Sequence, residues 1–322
     1  MITLLKKRLV SGLALSVLTL SAIPAFADDV VRVAYMKIPP LVSYLYADRN
    51  GLFEKEGIKT ELVIVNNGPA GMSAVVSKSV DIGITGTSAI ALAIIHKQPV
   101  KIFGTTDIET ADSLRTWIVT SKDAGINSAA DLVGKTVAIV GPSTQADLTL
   151  RDHLLAAGVD ASKVKIVSIP FPQIQPALEV GNVDAAVVID PFYSSIMRSD
   201  KFSAHAIAAG TVSDLETVGR YPLAAWFSRT DWLEENKEKA AGFLRAIEGA
   251  NQALKADRSK LDALLISDFG MPPPVAAKAG IPLNLEPLGA KVEDYQIVMD
   301  AMLRTKLIKK AIAPSDLIIS VK

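Results

Sequence analysis

The sequence predicts an α/β fold of two similar lobes joined by a double-crossing hinge, and three observations carry that prediction. A segment repeats at an offset of 103 residues: "AVVSKSVDIGI" (74–84) and "ALEVGNVDAAV" (177–187) share Ala, an aliphatic, four residues, Val-Asp, two small or apolar residues and an aliphatic. The flanks repeat with it, "GIKTELVIV" (57–65) against "GVDASKVKIV" (158–167) and "VRVAY" (31–35) against "TVAIV" (136–140). Each copy alternates short apolar runs with helical stretches, the pattern of parallel strands joined by helices.

Along the chain, residues 1–27 combine a basic start (Lys6, Lys7, Arg8), an apolar run too short to span a bilayer, and Ala25-Phe26-Ala27, the form of a secretory leader with an A-x-A cleavage site. The first lobe is expected over 28–117 together with 226–322, and the second over 118–225. Each copy reads strand, helix, strand, helix, strand, with Gly57 and Gly158 each stopping a helix. "SLRTWIVTS" (113–121) and "YPLAAWFS" (221–228) read as strand-like stretches that carry the chain across and back. From Asp231 onward apolar residues fall at helical spacing with charges opposite, and "MPPP" (271–274) interrupts them.

Composition excludes several classes of function. The chain has no cysteine, hence no disulfide, thiol nucleophile or thiolate-bound metal. Its 34 Lys+Arg balance 34 Asp+Glu, and loss of the leader's three cations leaves 31 against 34, too acidic for a nucleic-acid or basic membrane-surface protein. His96, His153 and His205 show no metal spacing, and no G-x-S-x-G, H-E-x-x-H or C-x-x-C is present, so no cofactor, metal or catalytic centre is expected. "GKT" (134–136) precedes a strand instead of following one and is no phosphate loop. Asp81 and Asp184, paired by the repeat at helix-to-strand junctions, read as turn chemistry.

Parallel α/β sheets bind ligands beyond the carboxyl ends of their strands, where helix N-termini gather. "IVGPSTQADLTL" (139–150) places Ser143, Thr144 and Gln145 there in the second lobe, offering hydroxyls, an amide and the unpaired N–H groups of a first helical turn. "TGTSAIAL" (85–92) places Thr85, Gly86 and Thr87 opposite, and Asn67, Gly68 and Pro69 form a further turn. Lys37, after the first strand, offers a positive charge for an anionic head group. Asp190 ends a second-lobe strand and offers an acceptor, either to a ligand or as a cap for the helix beginning at Phe192, and Trp226 and Phe171 offer an apolar cover.

These stretches, with "GLFEKEGI", "DLVGKTVAIV" and "GNVDAAVVIDPFYS", resemble the periplasmic solute-binding proteins of ABC importers. More narrowly, they resemble the branch that binds alkanesulfonates, taurine, nitrate and thiamine-pyrimidine precursors. The resemblance implies a periplasmic binding protein type II-like fold and a periplasmic monomer. It would close over a small oxyanionic solute and deliver it to a permease driven by an ATPase. It implies ligand contacts at Lys37, Gly68-Pro69, Thr85 to Thr87, Ser143 to Gln145 and Asp190-Pro191. The chain departs from similar sulfonate binders by carrying Gln145, Ala146 and Asp147 where they place a histidine. Alternatives are a neutral or aromatic solute such as a pyrimidine precursor, a sensor role with the same cleft, and a pyrimidine synthase of similar fold. That enzyme family carries a cysteine-rich motif this chain lacks.

Overall fold

The computed structural model describes residues 30–321; the expected leader, residues 1–27, lies outside the described residues. The first stretch holds β1 (Val30–Tyr35), α1 (Val42–Arg49), α2 (Leu52–Lys55), β2 (Lys59–Ile64), α3 (Gly68–Val76), β3 (Ile82–Gly86), α4 (Thr87–Ile95) and β4 (Val100–Thr110). The second holds β5 (Thr116–Ser121), β6 (Thr136–Ile139), α5 (Gln145–Ala156), β7 (Lys165–Ser168), α6 (Phe171–Glu179), β8 (Ala185–Ile189), α7 (Phe192–Met197) and β9 (Ala204–Ala209). The return stretch holds α8 (Leu215–Val218), β10 (Arg220–Arg229), α9 (Thr230–Glu235), α10 (Lys237–Ala256), α11 (Arg258–Phe269), α12 (Pro273–Ala276) and α13 (Gln296–Arg304). No helix among the described residues is long and apolar enough to cross a membrane.

Two five-stranded sheets result, ordered β2-β1-β3-β10-β4 and β7-β6-β8-β5-β9. The repeat is visible in both: β1 pairs in parallel with β2 and β3, and β6 with β7 and β8. The parallel pairs expected from the repeat are present, and β10 and β5, antiparallel to β3 and β8, make both sheets mixed. Each of these strands enters its sheet from the other lobe, and so runs against the strand it meets. The crossings occupy 111–115 and 210–219. The positions 117/118 and 225/226 fall inside β5 and β10, the strands expected at 113–121 and 221–228.

Both sheets are covered on both faces, which is why β3 and β8 read as continuous apolar runs. In the first lobe Tyr44, Phe53 and Phe243 fill one face, and Val75, Ile90, Phe227 and Met299 the other. In the second, Leu150 and Val187 lie on the α5 side, and Ile174, Leu178 and Val188 on the α6 side. The repeated aspartates do one job twice. Asp81 Oδ2 accepts the Arg32 backbone N–H at 2.9 Å, and Asp184 Oδ2 accepts that of Thr136 at 2.7 Å, each locking a helix-to-strand junction to the first strand of its copy.

One buried side chain reaches both crossings. Glu109, fully buried on β4, accepts the backbone N–H groups of Arg115 (2.6 Å) and Thr116 (2.9 Å) on the outgoing crossing and of Thr211 (2.7 Å) on the return. Thr116 and Thr211 also join through their hydroxyls at 3.1 Å. On the flank, Arg304 of α13 donates to Asp152 of α5 and, through both terminal nitrogens, to Asp214 of the return crossing.

Two outcomes follow. Replacing Glu109 by Gln turns an acceptor toward N–H groups into a donor, and three hydrogen bonds to a charged acceptor lose their partner or weaken; urea unfolding should show a loss of about 2–4 kcal/mol. A loss below about 0.5 kcal/mol would mean the crossings do not rely on it. The Arg304 guanidinium holds the Asp214 carboxyl below the usual carboxylate range, against the opposing effect of burial. A depressed carboxyl contributes stability that is present above its unfolded pKa, near 4, and lost as pH falls through the folded value. Melting curves from pH 5 to 2 should therefore fall less steeply in Arg304→Gln than in the parent; identical acid limbs would contradict this.

Candidate functional site

The carboxyl ends of β3 and β6 bring the N-termini of α4 and α5 face to face. Neither helix has a side-chain N-cap, so the N–H groups of both first turns are uncapped. Gln145, the first residue of α5, bridges the gap. Its Oε1 accepts from Ser88 Oγ at 3.3 Å, with Thr87 Oγ1 at 3.5 Å, and its Nε2 donates to the Tyr221 hydroxyl at 3.1 Å. Burial pushes that phenol upward, so Tyr221 is neutral. Gly86 sits beneath the bridge, where an added Cβ would lie 3.1 Å from Gln145 Cβ. A larger residue there meets the opposite lobe.

Local turns explain how α5 is aimed. Ser143 adopts a left-handed φ of 57° and its backbone N–H donates to Asp147 Oδ2 at 2.8 Å. Thr144 Oγ1 donates to the Gly141 carbonyl at 2.6 Å. Thr144 thus holds the turn while the exposed Ser143 side chain stays at the rim. Asp147, nearly fully buried, also pairs with Arg151 at 2.6 Å. One turn further, Leu148 is buried in the first lobe's apolar cluster beside Val212, Leu215 and Tyr221, so α5 belongs to the second sheet yet packs on the first lobe.

The remaining candidates divide. Gly68, at the start of α3, lies so near Thr85 that an added Cβ would stand 2.1 Å from Thr85 Oγ1, which brings the α3 N-terminus onto the same edge. Pro69 is exposed in the first turn of α3. Asn67 is occupied as the N-cap of α3, accepting from Ala70 N–H at 2.9 Å. Thr87 is fully buried and donates to the Pro222 carbonyl, tying α4 to β10. Lys37 is exposed in the loop after β1, and its charge helps Arg49 hold the Asp268 carboxyl low. Asp190 caps α7 by accepting from Ser194 N–H at 3.0 Å, and its other oxygen lies 3.2 Å from where a Cβ on Gly280 would stand. The lobes therefore meet at a second point.

Trp226 is a correction. It is 2 % exposed and packs edge-on to Phe243 at 4.9 Å within the first lobe's core, so it faces no cleft. Its strand alternates into the sheet face covered by α10. In the second lobe the half-buried Tyr193 stacks on the buried Trp117 at 4.0 Å, and the half-buried Phe171 on Phe192 at 5.3 Å. The sequence reading also missed Ser88 and Tyr221. Ser88 stands inside "TGTSAIAL" and Tyr221 opens "YPLAAWFS", so both were in view, but their convergence on Gln145 depends on how the lobes meet. Among the described residues no group of three or more His, Asp or Glu side chains is placed to hold a metal.

A valine at position 86 should wedge the two helix N-termini apart. Small-angle scattering of Gly86→Val should give a larger radius of gyration than the parent under the same conditions, and an unchanged radius would mean the lobes do not meet at Gln145.

A family model described as NMT1/THI5 like matches residues 39–259. A taurine-binding periplasmic protein of Escherichia coli is 26 % identical over 225 residues, covering 69 % of this chain and 65 % of that one. Another E. coli protein, provisionally named as binding aliphatic sulfonates, is 26 % identical over 304 residues, covering 92 % of this chain and 91 % of that one. Among solved structures, the periplasmic aliphatic sulphonate binding protein of E. coli superposes with a TM-score of 0.72 at 21 % identity, covering 91 % of this chain and 93 % of that one. The alkanesulfonate-binding protein of Xanthomonas axonopodis pv. citri, bound to MOPS, gives 0.74 at 20 %, covering 91 % and 98 %. Those relatives are binding proteins and not enzymes, their fold is the one described above, and the chain belongs to the NMT1/THI5-like family.

Proposed function

We propose that this protein is the periplasmic substrate-binding component of an ABC importer, capturing a small oxyanionic organic solute between its lobes for delivery to a membrane permease. The observation that carries the reading is the pair of helix N-termini, α4 and α5, that lack side-chain caps and meet at Gln145. Such termini favour an anion through their free N–H groups and the positive ends of their dipoles. The names of the relatives, sulfonate, taurine and periplasmic, support the same solute class and compartment. In this reading Ser88, Thr85, Gly68, Ser143 and Gln145 contact the solute, Gln145 exchanging its bridge for the ligand. Lys37 supplies the counter-charge and Asp190 accepts from a donor elsewhere on the molecule.

Closure follows from the same geometry. A solute that touches both edges stabilises only the state in which they are together, so binding and closure are one equilibrium. A neutral aromatic solute is the second reading, favoured by the half-buried rings of Tyr193, Phe171 and Phe192 in the second lobe.

A thermal-shift panel of taurine, butanesulfonate, nitrate and a hydroxymethylpyrimidine tests the two readings. A true solute at about a thousand times its Kd adds about 4.1 kcal/mol, or about 8 °C in melting temperature for a chain of this size. Lys37→Met should weaken an oxyanion more than tenfold, the loss of one charge-assisted hydrogen bond of about 1.5–3 kcal/mol. A pyrimidine that binds equally well to the parent and to Lys37→Met, with no response to any anion, would replace the first reading by the second.

A further inference from the structure

A cavity of about 450 Å3 opens between the first crossing and the C-terminal helices of the first lobe, lined by Ser113, Arg115, Leu254, Lys255, Arg258, Leu261 and the turn 281–283. None of the residues at the facing helix N-termini lines it, and the surface facing it is mostly polar. Its lining holds three cations and no acidic side chain.

Two of the cations are fixed from behind. Arg115 is placed by its backbone N–H on Glu109 and by its Nε on Asp107 at 3.3 Å, while its Nη1 donates to the Leu114 carbonyl. Arg258 is placed by Nε on Asp262 at 2.6 Å and by Nη2 on the carbonyls of Ala276 and Ala279. Among the described residues these contacts leave Arg115 Nη2 and Arg258 Nη1 without a protein acceptor. The exposed Lys255 likewise has no acidic or carbonyl partner there. Asp107 and Asp262 offset the two guanidinium charges, so Lys255 brings the uncompensated one.

Rigid guanidinium groups with spare N–H donors and a flexible ammonium are the donor set that recognises an oxyanion. We propose that this cavity is a binding site for a small, strongly polar oxyanion of the sulfate or phosphate type, distinct from the solute cleft. Occupancy ties α10 and α11 to the outgoing crossing through Arg115, the residue next to the Glu109 anchor.

The test is a calorimetric titration of the full-length mature protein with inorganic sulfate, with ionic strength held constant by sodium chloride. The parent should bind sulfate saturably. Lys255→Glu should weaken it at least tenfold and Lys255→Gln severalfold, with unchanged circular dichroism and unchanged binding of the best solute of the panel. Gly86→Val, which acts on the cleft, should bind sulfate as the parent does. No saturable binding by the parent, parent-like binding by Lys255→Glu, or loss of sulfate binding in Gly86→Val would each overturn the proposal. The last outcome would place the anion in the cleft, and it is separable from failure of the importer reading because the solute panel is measured independently.

Discussion

A fully buried carboxylate, Glu109, sits where the chain leaves the first lobe and again where it returns. It is shared among three backbone N–H groups from the two crossings. Crossing strands cannot satisfy all of their backbone groups within either sheet, and a buried N–H without a partner costs as much as a lost hydrogen bond. Glu109 supplies those partners and thereby fixes the outgoing and return segments side by side.

Helix α5 makes the consequence concrete. Its Leu150 and Leu154 pack on the second sheet, its Leu148 enters the first lobe's cluster, and Asp152 and His153 reach the return crossing through Ser213 and the Gly210 carbonyl. One helix thus touches both lobes and the hinge, and its first residue, Gln145, makes the bridge across the cleft.

Much of this was legible in the sequence because the repeat is physical. Val80 and Val183 occupy equivalent core positions, and Asp81 and Asp184 fasten equivalent strands, so the matching letters report matching jobs. The edges carrying Thr85, Gly86, Ser143 and Gln145 were legible for the same reason: a strand that ends in glycine and hydroxyls before a helix leaves N–H groups open. What was illegible depends on contacts far apart in the chain. Trp226 reads the same in a strand whether it faces a cleft or, as found, Phe243. Glu109 carries no local motif, and its partners lie both beside it and about a hundred residues away.

The central claim is that the lobes move as rigid bodies about the Glu109 crossing and come together on a solute. The chain has no cysteine, so spin labels can be placed without removing any native residue of that type. Electron–electron distance measurement between the exposed positions Ser73 on α3 and Gln173 on α6, each changed to Cys, reads the separation of the lobes. A control pair lies within one lobe. The account predicts that a bound solute narrows the inter-lobe distribution and shifts it to shorter distances while the control stays fixed. An inter-lobe distribution that does not respond to a solute shown to bind would contradict it.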